Sequence, residues 1–144
     1  MLNIKRLDIE DARVMIAGAT AKANEIGVGM CIAVTDESGN LLAFERMNDA
    51  KFSSATIAID KSYTATGTRK GTHELAAVSQ PGQPVYGLES TLGGRMVIIG
   101  GGLPVIVDGA AIGGIGVSSG SPAQDQDVAQ AGLDAFHTSQ QNNS

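Results

Sequence analysis

The run from Arg95 to Gly120, RMVIIGGGLPVIVDGAAIGGIGVSSG, decides the fold. Three apolar runs lie within it, Met96 to Ile99, Leu103 to Val107 and Ala110 to Val117. Each is short, rich in Val and Ile, and bounded by Gly, Pro or Asp-Gly. That pattern predicts three consecutive antiparallel strands. Asp108-Gly109 suits a tight turn with positive φ, so the last two strands form a hairpin. Gly100-Gly101-Gly102 and Gly113, Gly114 and Gly116 place bare backbone inside the sheet, which costs chain entropy and side-chain packing at each position. Two compensations are open: close packing of a helix or second chain on the glycines, or backbone approaching a ligand.

Downstream, Ser121-Pro122-Ala123-Gln124 carries an N-cap serine, a first-turn proline and a capping-box glutamine, which open a terminal helix. Val128, Ala131, Gly132, Ala135 and Phe136 fill one stripe of it, and the polar tail 139–144 is expected to fray. Upstream, Asp8 caps a helix over 8–26 that ends at Gly27, with Ala12, Met15, Ile16, Ala19 and Ala23 at helical spacing. Met30 to Thr35 and Leu41 to Glu45 flank the turn-forming Asp36-Glu37-Ser38-Gly39-Asn40 and read as a first hairpin. Ser53 to Thr68 reads as a slender helix with Ala55, Ala58, Ser62 and Ala65 on one face. A short helix near Thr72 to Val78 precedes the loop Gln80-Pro81-Gly82-Gln83-Pro84, whose prolines lack amide donors. The order predicts a single α+β domain over 1–144, a sandwich whose five-stranded, mainly antiparallel sheet is packed with helices.

Composition narrows the function classes. Glycine numbers 19 of 144, about twice the usual ~7%, and aromatics are 3%, so the core is built from small aliphatic side chains. A net charge of −5, without a Lys/Arg cluster, argues against nucleic-acid binding. The one cysteine, Cys31, sits in an apolar run, which excludes a disulfide framework and a cysteine metal site within the chain. Neither a signal-type segment nor a run of about 18 apolar residues occurs. The expectation is a soluble, cytoplasmic protein without a membrane partner.

Several residues could carry chemistry. Lys61 lies on the slender helix one turn from Ile57 and from Thr64-Ala65. Its ammonium either pairs with Asp36 or Asp125, or serves as an anion anchor or a base of lowered pKa. Asp125 either compensates the dipole of its helix or faces a pocket. Ser118 and Ser119, just before the capped helix, either make turn hydrogen bonds or help hold an anionic group. Arg46 can grip a ligand carboxylate bidentately or pair on its own surface. Gly101 and Gly102 are the backbone candidates for ligand approach. Neither histidine has metal-ligand spacing, so no metal site is expected. A dinucleotide fingerprint at Gly114 to Ser119 lacks the required following strand and acidic residue.

The blocks Ala33 to Asn40, Arg46-Met47, Ala58 with Lys61 and Thr64-Ala65, Gly100 to Pro104, Ile112 to Ser118 and Asp125-Gln126-Asp127 together resemble the GlcG/HbpS haem-binding family, over nearly the whole chain. That family includes the C-terminal domain of PduO-type corrinoid adenosyltransferases. Gln80 to Pro84 with Tyr86-Gly87-Leu88 is most similar to that PduO branch and to small stand-alone proteins of diol and glycerol dehydratase operons. The resemblance implies a profilin-like fold, self-association and, in some members, haem binding. The adenosyltransferase activity belongs to PduO's other domain and is not expected here. The family's usual second glycine after Val-Ser is Ser119, and the first helix contains no histidine, so no axial ligand carries over from that helix. His73, near a loop, is the haem-ligand candidate, with Met47 behind it. Three functions follow: a self-associating binder of haem or another tetrapyrrole; a small-molecule enzyme using Lys61 with Asp36 or Asp125; or an accessory protein of a dehydratase (corrinoid) system.

Overall fold

The computed structural model describes all 144 residues. In the first helix, α1 (Ile9–Ile26), the Asp8 carboxylate accepts from the Asp11 amide while the Asp11 carboxylate accepts from the Asp8 amide. This reciprocal pair satisfies two amides that have no partner inside a helix. Strands β1 (Cys31–Asp36) and β2 (Leu41–Arg46) follow. The turn between them is held by the Asp36 carboxylate, which accepts from the Ser38 and Asn40 amides at 2.9 Å each. Next come α2 (Ser54–Thr68), a 3-10 turn at Thr72–Glu74 and the four-residue α3 (Leu75–Val78). Irregular chain leads to β3 (Gly102–Val107) and β4 (Ala110–Ser118), and α4 (Pro122–Asn142) ends the fold. Asp108 and Gly109 adopt φ of 50° and 79° in the β3–β4 turn, as its Asp-Gly pair requires. The Ser121–Gln124 capping box is formed in both directions. Past Ser139, where the polar composition suggests fraying, α4 continues to Asn142, and the Ser139 hydroxyl donates to the Phe136 carbonyl.

All strand pairs are antiparallel, in the order β2-β1-β4-β3. The sheet thus has four strands, and the fifth expected at Met96 to Ile99 is absent. That segment runs along α2 instead. The Thr64 hydroxyl accepts from the Val97 amide at 2.9 Å, while its own proton is shared between the Asp60 carbonyl at 2.7 Å and the Arg95 carbonyl at 3.2 Å. The Arg95 guanidinium bonds Asp60 at 2.9 Å and lies 3.7 Å over the Tyr63 ring. One helix side chain therefore takes the Val97 amide that a neighbouring strand would have taken. Sequence periodicity does not distinguish these two partners.

Strand side chains alternate between faces. Ile32 and Val34, with Ile115 and Val117, join Met15 and Ile16 of α1 and Val128 and Phe136 of α4 in the main core. Cys31 and Ala33 face the other way and meet Ala58 of α2. Because helices cover both faces, β1 is buried at all six positions and shows no polar alternation.

The glycines set how close α2 lies. In register, Gly102 faces Gly116, and Gly114 faces Pro104. A Cβ at Gly114 would stand 2.6 Å from the Ser62 carbonyl oxygen, one at Gly102 would stand 2.5 Å from that of Lys61, and one at Gly116 would run into the backbone of Ala58 and Ser62. Of the two compensations, these strand glycines take the first: helix backbone rests on sheet backbone. No helix is long and apolar enough to cross a membrane.

Candidate functional site

Lys61 sits on the sheet-facing side of α2, and its Nζ donates to the Val117 carbonyl and to Asp125 Oδ2, each at 2.9 Å. Asp125 Oδ1 accepts from the Gly120 amide at 2.8 Å. The two side chains are only 2% and 3% exposed, so one ion pair ties α2, β4 and the first turn of α4 together. Gly101 makes the room, since a Cβ there would come within 2.8 Å of Nζ. Burial pushes the Lys61 ammonium below its ordinary range, and the hydrogen bond and charge of Asp125 oppose that shift.

Lys61 is partnered by Asp125 and not by Asp36. Asp36 lies opposite Gly113, whereas the Lys61 acceptor Val117 lies opposite Ile32. That is four residues along the strand, roughly 13 Å. Of the other candidates only Gly101 lies against the pair. The Gly102 amide donates to Thr72 Oγ1 at 2.9 Å, and the Gly101 carbonyl accepts from Val117 at 2.9 Å, so these backbone groups already have protein partners. Ser118 is buried opposite Cys31. Ser119 holds φ of 114°, a region in which side chains are disfavoured, and its hydroxyl accepts from the Lys51 amide at 3.0 Å. Arg46 is exposed at the end of β2, across from Cys31, whose thiol burial pushes up while Arg46 pulls it back. His73 is exposed on its 3-10 turn, against Gly71 and Gly100.

None of the five principal cavities is lined by Lys61 or Asp125. One of them is a groove of about 450 Å³ between α1 and β2, lined by Ile9, Arg13, Ile16 and Ala17 on the helix and by Ala43, Phe44 and Glu45 on the strand. The Phe44 side chain packs with Cys31, Ala33 and Ala58 on the opposite face, so Ile9, Ile16, Ala17 and Ala43 supply the apolar wall. Arg13 stands at the rim, paired only with Glu10 on its own helix. A second apolar cavity, about 290 Å³ beneath the N-terminal arm, includes the acids Glu37 and Asp108. Arg6 beside Glu37 holds that carboxyl at about 2, below the ordinary 4.5.

The α1–β2 groove escapes sequence reading because its two walls are far apart in the chain. The available signal was local: Ile9 and Ala17 are apolar yet fall outside the buried stripe, and with Arg13 they repeat every four residues along one helix face.

The family model for haem-degrading protein HbpS-like matches residues 7–134. The chain belongs to the HbpS-like family. It is 44% identical over 133 residues to a 15.0 kDa protein of the dhaT-dhaS intergenic region of Citrobacter freundii, covering 92% of this chain and 94% of that protein. It is 38% identical over 131 residues to the corrinoid adenosyltransferase PduO of Salmonella typhimurium, covering 91% of this chain but only 39% of PduO. Among solved structures, a PduOC:haem complex superposes with a TM-score of 0.87 at 38% identity, covering 91% of this chain and 95% of that one. The HbpS-like fold is therefore shared over almost the whole chain.

Proposed function

We propose that this HbpS-like chain binds a small, flat, carboxylate-bearing ligand of the tetrapyrrole class, haem included, in the groove between α1 and β2. The observation that carries the reading is the make-up of that groove: a mostly apolar wall with the Arg13 guanidinium on its helix side and the Glu45 carboxylate on its strand side, in a fold shared with a protein solved as a haem complex. Small-molecule sites are mainly apolar with a few placed polar groups. An exposed ion pair such as Arg13–Glu10 is worth little, so a ligand carboxylate can displace Glu10 and take the bidentate position. The arm cavity is smaller, and its charged groups are already paired, Lys5 with Asp108 and Glu37 with Arg6, which leaves no free cation there for an anionic ligand.

The Lys61–Asp125 enzyme reading has less support, because both groups are enclosed and each is occupied by the other. We further infer a cytoplasmic, self-associating protein; the free edge of β2 beside the groove is a surface that a second copy can cover. The likeness to PduO and to the dhaT-dhaS region protein supports service in a dehydratase or corrinoid system.

The test is an absorbance titration of the purified chain with hemin. A saturable Soret shift is expected, weakened at least tenfold by Ile9→Glu or Ala17→Glu, both on the helix surface. Absence of saturation would overturn the proposal, and sedimentation showing only monomer at micromolar concentration would overturn the self-association.

A further inference from the structure

Haem iron in proteins is held by histidine, cysteine, methionine or tyrosine. None of these lines the α1–β2 groove. The groove lies at the β2 edge of the sheet, whereas both histidines lie toward β3. His73 abuts Gly100, just before β3, and His137 lines a polar groove with Ile106 and Val107 of β3. Three strand spacings separate β2 from β3 in the order β2-β1-β4-β3, roughly 14 Å. Neither imidazole reaches a ligand seated in the groove. Two further candidate ligands lie elsewhere: the Met47 sulfur accepts from the Met30 amide at 3.4 Å, and Tyr63 lines a separate cavity with Gly39 and Leu92. The groove therefore fits the body and a carboxylate of a tetrapyrrole, and does not fit its metal.

We infer that this chain recognises the macrocycle and its carboxylate without bonding the metal, so that a metal-free tetrapyrrole is as good a ligand as haem. The inference rests on the groove reading above, and it sets the chain apart from any protein that works through the iron. Apolar contact and the Arg13 guanidinium are the two sources of affinity, and both act equally on metallated and metal-free rings.

The full chain is titrated with hemin, followed by the Soret band, and with metal-free protoporphyrin IX, followed by its fluorescence. Parallel titrations use Arg13→Gln, His73→Ala and His137→Ala. Dissociation constants for the two ligands within about threefold of each other are expected. Arg13→Gln should weaken both by about tenfold, and the hemin spectra of the two histidine variants should superimpose on that of the parent. Hemin bound at least tenfold more tightly than the metal-free ring would overturn the inference while leaving the tetrapyrrole reading standing. So would a Soret shift lost in either histidine variant, which includes ligation by a second copy's histidine. Failure of both ligands to bind would overturn the tetrapyrrole reading itself, and this inference with it.

Discussion

Removing either member of the Lys61–Asp125 pair should cost far more than removing both. At 2.9 Å and an effective dielectric of about 20, the attraction is about 6 kcal/mol. Withdrawing each charge from water costs several kcal/mol, so the pair nets close to zero against a well-packed apolar replacement. A single substitution leaves the other charge stranded among β4, α2 and α4. Lys61→Met keeps the stem along Gly101 but strands the Asp125 carboxylate with only the Gly120 amide. Asp125→Leu strands the ammonium with only the Val117 carbonyl. Each should cost about 3–5 kcal/mol, a large part of the 5–15 kcal/mol typical of a domain. The double variant should fall within about 1 kcal/mol of the parent. Urea unfolding followed by circular dichroism is the assay, and with a slope of about 2 kcal/mol/M the single variants should lose about 2 M in midpoint. A double variant costing the sum of the singles, or a Lys61→Met variant costing under about 1 kcal/mol, would refute the reasoning.

Gly116→Ala should destabilise by about 2–3 kcal/mol, because the new methyl meets the α2 backbone rather than a yielding side chain. Strand propensity alone predicts the opposite sign, a gain of about 0.5–1 kcal/mol, so the direction of the thermal shift decides whether α2 seats on the glycines. The Arg6–Glu37 pair should show in acid. The Glu37 carboxyl is lowered to about 2 when folded, from an ordinary 4.5. Its contribution is therefore complete above pH 4.5 and lost as the pH falls toward 2. Arg6→Met should flatten the stability profile in that window, and an unchanged profile would count against the pairing.

Caps and tight turns are legible in the sequence because their physics is local, whereas the polar composition past Ser139 does not mark the end of α4, which continues to Asn142. The Ser121–Gln124 box, the Asp8 cap and the Asp108-Gly109 turn each satisfy or shape backbone within a few residues, and each stands in the structure as its residue types require. The other errors and omissions share the opposite property. Met96 to Ile99 is strand-like in composition, but whether a strand or a helix hydroxyl satisfies its backbone is settled by Thr64, some thirty residues earlier. The glycine-rich strands announce close approach without naming the approaching group, because a missing Cβ admits helix, ligand or second chain alike. Lys61 required a carboxylate, and only the β1–β4 register makes Asp125 reachable and Asp36 not. The α1–β2 groove is the strongest case: Ile9, Arg13 and Ala17 look like an ordinary solvated helix face until β2 is set beside them. What separates an apolar surface stripe from a binding wall is the second wall, and that information resides in the topology.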